Sequence, residues 1–134
     1  MTTKTVHVAA AVLKNSRGDV LLAQRPAGKS MAGLWEFPGG KIEPGETPQA
    51  ALARELKEEL ELSVSGEDMS ILMTVSHNYP DFHLTMHVFL CSVGNRNVYL
   101  KEHQNIAWVS CQDMGRYPMP PADIPVVERL QKDI

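Results

Sequence analysis

Cysteine is scarce in this chain. Cys91 and Cys111 are the only two, far apart and without a CxxC pair, which suits reduced core thiols better than a disulfide framework or a zinc site. The five histidines, His7, His77, His83, His87 and His103, show no metal-ligand spacing and read as structural or peripheral. No apolar run approaches the ~20 residues needed to span a bilayer. The first residues also lack the basic segment, apolar core and cleavage site of a secretory signal, so a cytoplasmic location is expected and no membrane partner. Lys and Arg number 13 against 16 acidic residues and nowhere cluster, so there is no electrostatic footprint for polymeric DNA or RNA. A small anion held through a metal stays open. Repeats, low-complexity tracts and flexible linkers are absent too, and 134 residues is the length of one ordinary domain; residues 1–134 are expected to form one.

What is present is a series of short, well-punctuated segments. Val6 to Leu13 is apolar and β-branched enough for a buried strand, and Val20 to Arg25 gives a second strand after a turn around Gly18. Gly33 to Gly40 reads as a short extended piece running into a tight loop. Thr47 and Pro48 form a helix start, with the hydroxyl as N-cap and proline where its missing N–H is harmless. That helix is predicted to run to about Leu60. Ile71 to Ser76, His83 to Val93 and Asn105 to Ser110 look like strands, and Pro118 to Pro125 leads into a last helix through Val126, Val127 and Leu130. Strands, an internal helix, more strands and a terminal helix indicate an α/β sandwich with a mixed sheet.

The internal helix carries the chemistry. At about 100 degrees per residue, Glu58 and Glu59 fall within roughly 60 degrees of Glu55, so three carboxylates share one face. Leu52, Ala53, Leu56 and Leu60 form the adjoining apolar stripe, which places the acids at the rim of the core. Like charges at these spacings repel by about a few tenths of a kcal/mol per pair, and only Arg54 adjoins the trio. A solvated acidic face is the plain reading; a divalent cation would offset the repulsion, and hard Mg2+ takes carboxylates, phosphates and water. Upstream, Gly39-Gly40 allows the backbone close to a ligand, and Lys41 adds positive charge beside it.

Together Gly40, Glu46, Arg54, Glu55, Glu58 and Glu59, with aliphatic Leu56 and Leu62, resemble the Nudix box. The likeness to Nudix hydrolases, and among them to MutT-like nucleotide-pool enzymes, extends over most of the chain. The resemblance implies an α/β/α sandwich, Mg2+ as cofactor with Mn2+ as a substitute, and hydrolysis of a nucleoside triphosphate to NMP and pyrophosphate. It implies Glu55, Glu58 and Glu59 as metal ligands with the Gly39 carbonyl, and Arg54 as the residue that orients them. Glu102 lies where related enzymes carry a mobile acid, and is expected to be general base, further ligand or plain loop glutamate. Glu46 resembles the early glutamate of the box, though a charge favouring the helix N-terminus would explain it equally. The departure is Glu61, where the box has glycine: either it takes a left-handed conformation at a cost of about 1 kcal/mol, or the helix continues through it.

Arg25 and Lys41 are the candidate phosphate contacts, and Phe37, Asn78 and Asp123 the other candidate substrate contacts, with Tyr79, Phe82 and Trp35 able to stack. Asp123 sits where the similar enzymes place a base-recognising amide; taken alone it is an N-cap for the final helix. Ionised it accepts from the N1–H and N2–H2 edge of guanine, and protonated it can donate to cytosine N3. The resemblance therefore implies an oxidised or modified nucleotide, 8-oxo-dGTP first and CTP-type substrates second. A Nudix-like module that binds a nucleotide without hydrolysing it is the alternative of another class.

Overall fold

The computed structural model describes residues 4–28, 31–99 and 105–132. The long strand β1 (Thr5–Asn15) lies at its centre, and the alternation of its side chains sets up two layers. Ala9, Ala11 and Leu13 face one core cluster while Ala10 and Val12 face another. A strand covered on both sides needs a continuous apolar run, which is why this segment is not polar at every second position. Along one edge β1 runs parallel to β6 (His83–Gly94), from Thr5 opposite His83 onward. In turn β6 pairs antiparallel with β5 (Ser70–Asn78) through the Pro80-Asp81 reversal.

On its other edge β1 meets β2 (Val20–Gln24) at Lys14 and β4 (Gly39–Lys41) at Val8 to Ala10. The turn into β2 is held by the Asn15 side chain, whose Oδ1 accepts from the Arg17 and Asp19 N–H groups at 3.0 and 2.9 Å. Within it Gly18 takes φ 82°, a conformation that glycine adopts without penalty. Strand β2 also pairs antiparallel with the two-residue β3 (Trp35–Glu36) and with β7 (Asn105–Val109). The sheet is mixed, as the order of segments predicts.

Helix α1 (Pro48–Leu60) covers one face: Leu52, Leu56 and Leu60 are fully buried against Ala9, Ala11, Leu13, Leu21 and Phe89. Thr47 Oγ1 accepts from the Ala50 N–H at 3.1 Å, the cap expected of Thr47-Pro48. Helix α2 (Ile124–Lys132) covers the other face, setting Val126, Val127 and Leu130 on Val12, Val20, Leu22 and Val88. Before it lie two 3-10 turns, Cys111–Arg116, whose Asp113 N–H is capped by Ser110 Oγ, and Pro121–Asp123. This is the expected α/β/α sandwich. Among the described residues no helix is long and apolar enough to cross a membrane.

One local outcome differs from the sequence reading, and a second selects between two conformations that it offered. Gly39 and Gly40 belong to strand β4 rather than to a loop. Glu61, left open between two conformations, takes the left-handed one at φ 53° and ψ 31° and ends α1. Its N–H returns to the Lys57 carbonyl and the next N–H, of Leu62, to the Leu56 carbonyl, so the reversal tucks Leu62 into the α1 core.

Candidate active site

The double glycine makes sense once β4 is seen wedged between β1 and α1. A Cβ at Gly39 would lie 2.0 Å from the Ala9 carbonyl oxygen, so this glycine admits the neighbouring strand's backbone. A Cβ at Gly40 would lie 2.4 Å from Glu55 Cδ, so that glycine admits the carboxylate of the acid helix. The expectation of backbone close to a ligand is thus sharpened: both glycines line a cleft, but their missing side chains first make room for the protein's own parts.

Arg54 gathers the carboxylates around itself. It forks onto Glu46, Nε to Oε2 and Nη2 to Oε1, both at 2.9 Å, and donates from Nη1 to Glu55 Oε1 at 2.9 Å and from Nη2 to the Lys41 carbonyl at 3.1 Å. Its Nη1 is also 3.5 Å from Glu58 Oε2, and Glu43 stands at 3.9 Å. A planar guanidinium is the side chain able to serve several carboxylates at fixed angles. The Glu46 bond, with a second from the Glu43 N–H, holds the Glu46 carboxyl down at about 2, and Glu46 in return pushes the Arg54 guanidinium further up. Glu46 therefore acts as Arg54's main partner, rather than simply as a charge at the helix start.

The three box glutamates are unequal. Glu55 is largely enclosed between Gly40 and Arg54, Glu58 projects outward with 61% of its side chain exposed, and Glu59 borders the cleft. One oxygen of Glu59, Oε2, is buried and accepts no hydrogen bond, while the residue is engaged elsewhere. Among the described residues no three acidic, His or Cys side chains converge tightly enough to form a metal cage. That does not disqualify the group, because Mg2+ is usually held by one or two carboxylates together with substrate phosphate and water. The donor set is all hard oxygen, and Gly40 keeps the space that Glu55 occupies, so these residues fit such an ion.

The cleft, about 450 Å3, opens beside Glu59 between β4, the β5–β6 hairpin and the Pro120–Asp123 segment. Val8 and Ala10 of β1 with Leu84 and Met86 of β6 supply apolar lining. Arg25, Phe37, Lys41 and Asp123 all reach it, bringing four of the five candidate substrate contacts together. Asn78 is not brought there; it is exposed and its amide oxygen bonds with His83 Nδ1. Trp35 sits outside as well, edge-on to Tyr117 at 5.1 Å. Glu102 lies outside the described residues.

Asp123 is 6% exposed, the one polar residue in the buried set among the described residues. Burial first, and Glu36 second, push its carboxyl up to about 7, against the pull of a Phe37 backbone N–H bond and of Arg25. Glu36 is not among the candidate site residues read from the sequence, yet it lines the cleft and pairs with Arg25 Nη1 at 3.0 Å. The hairpin register holds the missed signal: Ala23 stands opposite Glu36, which leaves Arg25 diagonally within reach.

Comparison with known proteins follows the same lines, for the NUDIX domain description matches residues 9–129. The chain belongs to the Nudix family. It is 38% identical to the CTP pyrophosphohydrolase of Escherichia coli K12, over 93% of this chain and 90% of that protein. To the 8-oxo-dGTP diphosphatase of the same organism it is 33% identical, over 96% and 98% of the two. The crystal structure of MutT protein from Methanosarcina mazei Go1 superposes with a TM-score of 0.88 at 26% identity, covering 99% of this chain and 97% of that one. This is a MutT-type Nudix hydrolase, and Nudix hydrolases generally depend on a divalent metal.

Proposed function

We propose that this Nudix hydrolase cleaves oxidised or modified nucleoside triphosphates, 8-oxo-dGTP foremost, to the monophosphate and pyrophosphate, and so cleans the cytoplasmic nucleotide pool. The observation that carries this reading is the juxtaposition of a buried Asp123 at one part of a cleft with Glu59 and Lys41 at another. A base read by the first would extend its phosphates toward the second. The two named E. coli relatives act, by their names, on 8-oxo-dGTP and on CTP, and support the same class of substrate.

In this reading Glu55, Glu58 and Glu59, with the Gly39 carbonyl, hold Mg2+, and Arg54 sets their orientation. When bound, the ion neutralises phosphate charge and eases deprotonation of a water. Lys41 and Arg25 hold phosphate oxygens, Arg25 by turning its remaining donors from Glu36 toward the substrate. Phe37 backs the base and steadies Asp123 through its N–H. Glu102 serves as general base or as a further ligand. The apolar lining from Val8, Leu84 and Met86 keeps bulk water from the base, which strengthens each polar contact made there.

A CTP-type substrate is the second reading, and the position of the Asp123 carboxyl favours keeping it. Near neutral pH both forms of Asp123 are populated, so guanine-type acceptance and cytosine-type donation are both available. Purified protein assayed with Mg2+ against 8-oxo-dGTP, dGTP, CTP and modified pyrimidine triphosphates is the test. Pyrophosphate release is expected, with Glu58→Gln losing Mg2+-dependent turnover; release from none of the panel would end the proposal.

A further inference from the structure

The turn that carries Asp123 opens with Pro120 and Pro121, and neither has a backbone N–H. The residue before a helical turn commonly offers a side-chain oxygen to the first free N–H groups inside it. Pro120 occupies that place and makes no such bond. The first N–H needing a partner is therefore that of Ala122, which is 1% exposed and cut off from water. Its partner comes from 43 residues away in the chain: the Tyr79 hydroxyl oxygen accepts from the Ala122 N–H at 3.1 Å.

Tyr79 is itself held on several sides. Its ring stacks on Phe82 with centroids 5.1 Å apart and meets His77 at an angle of 61° and 4.6 Å. Its own N–H donates to the Phe82 carbonyl at 2.8 Å, closing the β5–β6 hairpin. The hydroxyl is thus the end of a rigid lever rooted in one hairpin and reaching into the loop opposite. We infer that Tyr79 is a positioning residue for base selection, its hydroxyl capping the Pro121–Asp123 turn in place of Pro120 and so fixing Asp123 in the cleft. This rests on Asp123 reading the base, as proposed above. Burial raises the phenol's pKa, opposed by the Ala122 N–H bond and assisted by Asp123, and the net rise keeps the cap neutral with its own proton. Removing the oxygen leaves a buried N–H seeking another acceptor, and Asp123, the next residue, moves with it.

Tyr79→Phe keeps the ring and deletes only the cap. In the full chain, amide hydrogen exchange of Ala122 is expected to speed up about tenfold or more. The ratio of kcat/KM for 8-oxo-dGTP to that for dGTP and CTP should fall about tenfold, with the loss in KM rather than kcat. In an Asp123→Ala background, which loses base preference by itself, adding Tyr79→Phe should change the ratio no further. Unchanged exchange at Ala122 would overturn the cap. Faster exchange with an unaltered ratio, or an additive double variant, would overturn its role in selection. Should Asp123→Ala alone leave preference intact, the base-reading role of Asp123 and the selection role built on it both fall, while the exchange measurement still judges the cap.

Discussion

Gly39 and Gly40 are adjacent, yet adding a methyl group to each should have opposite consequences. At Gly39 the new Cβ meets backbone, the Ala9 carbonyl at 2.0 Å and Ala10 Cα at 2.8 Å, and neither can yield without parting β4 from β1. Gly39→Ala should cost about 3 kcal/mol or more, read as a lower denaturant midpoint. At Gly40 the obstacle is the end of the flexible Glu55 side chain. Gly40→Ala should stay within about 1 kcal/mol of the parent in stability while losing on the order of a hundredfold in kcat/KM, because a displaced Glu55 misplaces the chemistry. Asp123 permits a second test at this scale. Folding raises its carboxyl from 3.8 to about 7, so the folded chain holds the proton to higher pH than the unfolded chain does. Its contribution to stability is then fully present below pH 3.8 and lost as pH rises through about 7. Against Asp123→Asn, the parent should lose on the order of 4 kcal/mol across that window in urea titrations at stepped pH. Parallel curves would show that the carboxyl titrates normally.

At the scale of elements, α1 was legible from its start through its buried and acidic faces because its signals are local. Thr47-Pro48 starts it, the leucine spacing gives its buried face, and Glu55, Glu58 and Glu59 follow from the same period. Its end was open because a left-handed residue and one more helical residue leave the same trace in sequence. The structure resolves this with Glu61 at φ 53°, so Glu61→Gly should relieve strain and raise the melting temperature by about 2–4 °C, a gain of roughly 0.5–1 kcal/mol. A fall would mean that the Glu61 side chain contributes more through its contacts than its backbone costs. The contacts that sequence reading missed share one property, long separation. Arg25 with Glu36 spans 11 residues and Tyr79 with Ala122 spans 43, and pairs of this kind depend on how β2 meets β3 and how the β5–β6 hairpin faces the Pro121–Asp123 turn. Asn78 lies outside the cleft for a related reason: its position on β5 is settled by strand alternation, which points it at His83.

The molecule as a whole places its acid helix on one face of the sheet and the Pro120–Asp123 segment by the other, with the cleft reached from both. Glu43, Glu46, Glu55 and Glu58 share Arg54 as their cation, and one guanidinium cannot neutralise four carboxylates, so the native state should be strained electrostatically until a divalent ion joins it. The unfolded chain spreads these charges and binds such an ion weakly, so binding is linked to folding. Mg2+ at about one hundred times its dissociation constant should add roughly 2.7 kcal/mol to the stability of the parent protein, seen as a rise in melting temperature that EDTA reverses. Matching the ionic strength with NaCl must not reproduce the rise, since monovalent salt would only screen the repulsion. Glu59→Gln removes one donor at the cleft and should weaken the Mg2+ response, whereas Glu67→Gln, on the exposed 3-10 turn Gly66–Asp68, should leave it intact. Equal responses in both variants would mean that the cation stabilises by general charge neutralisation, and that the box glutamates hold no ion in particular.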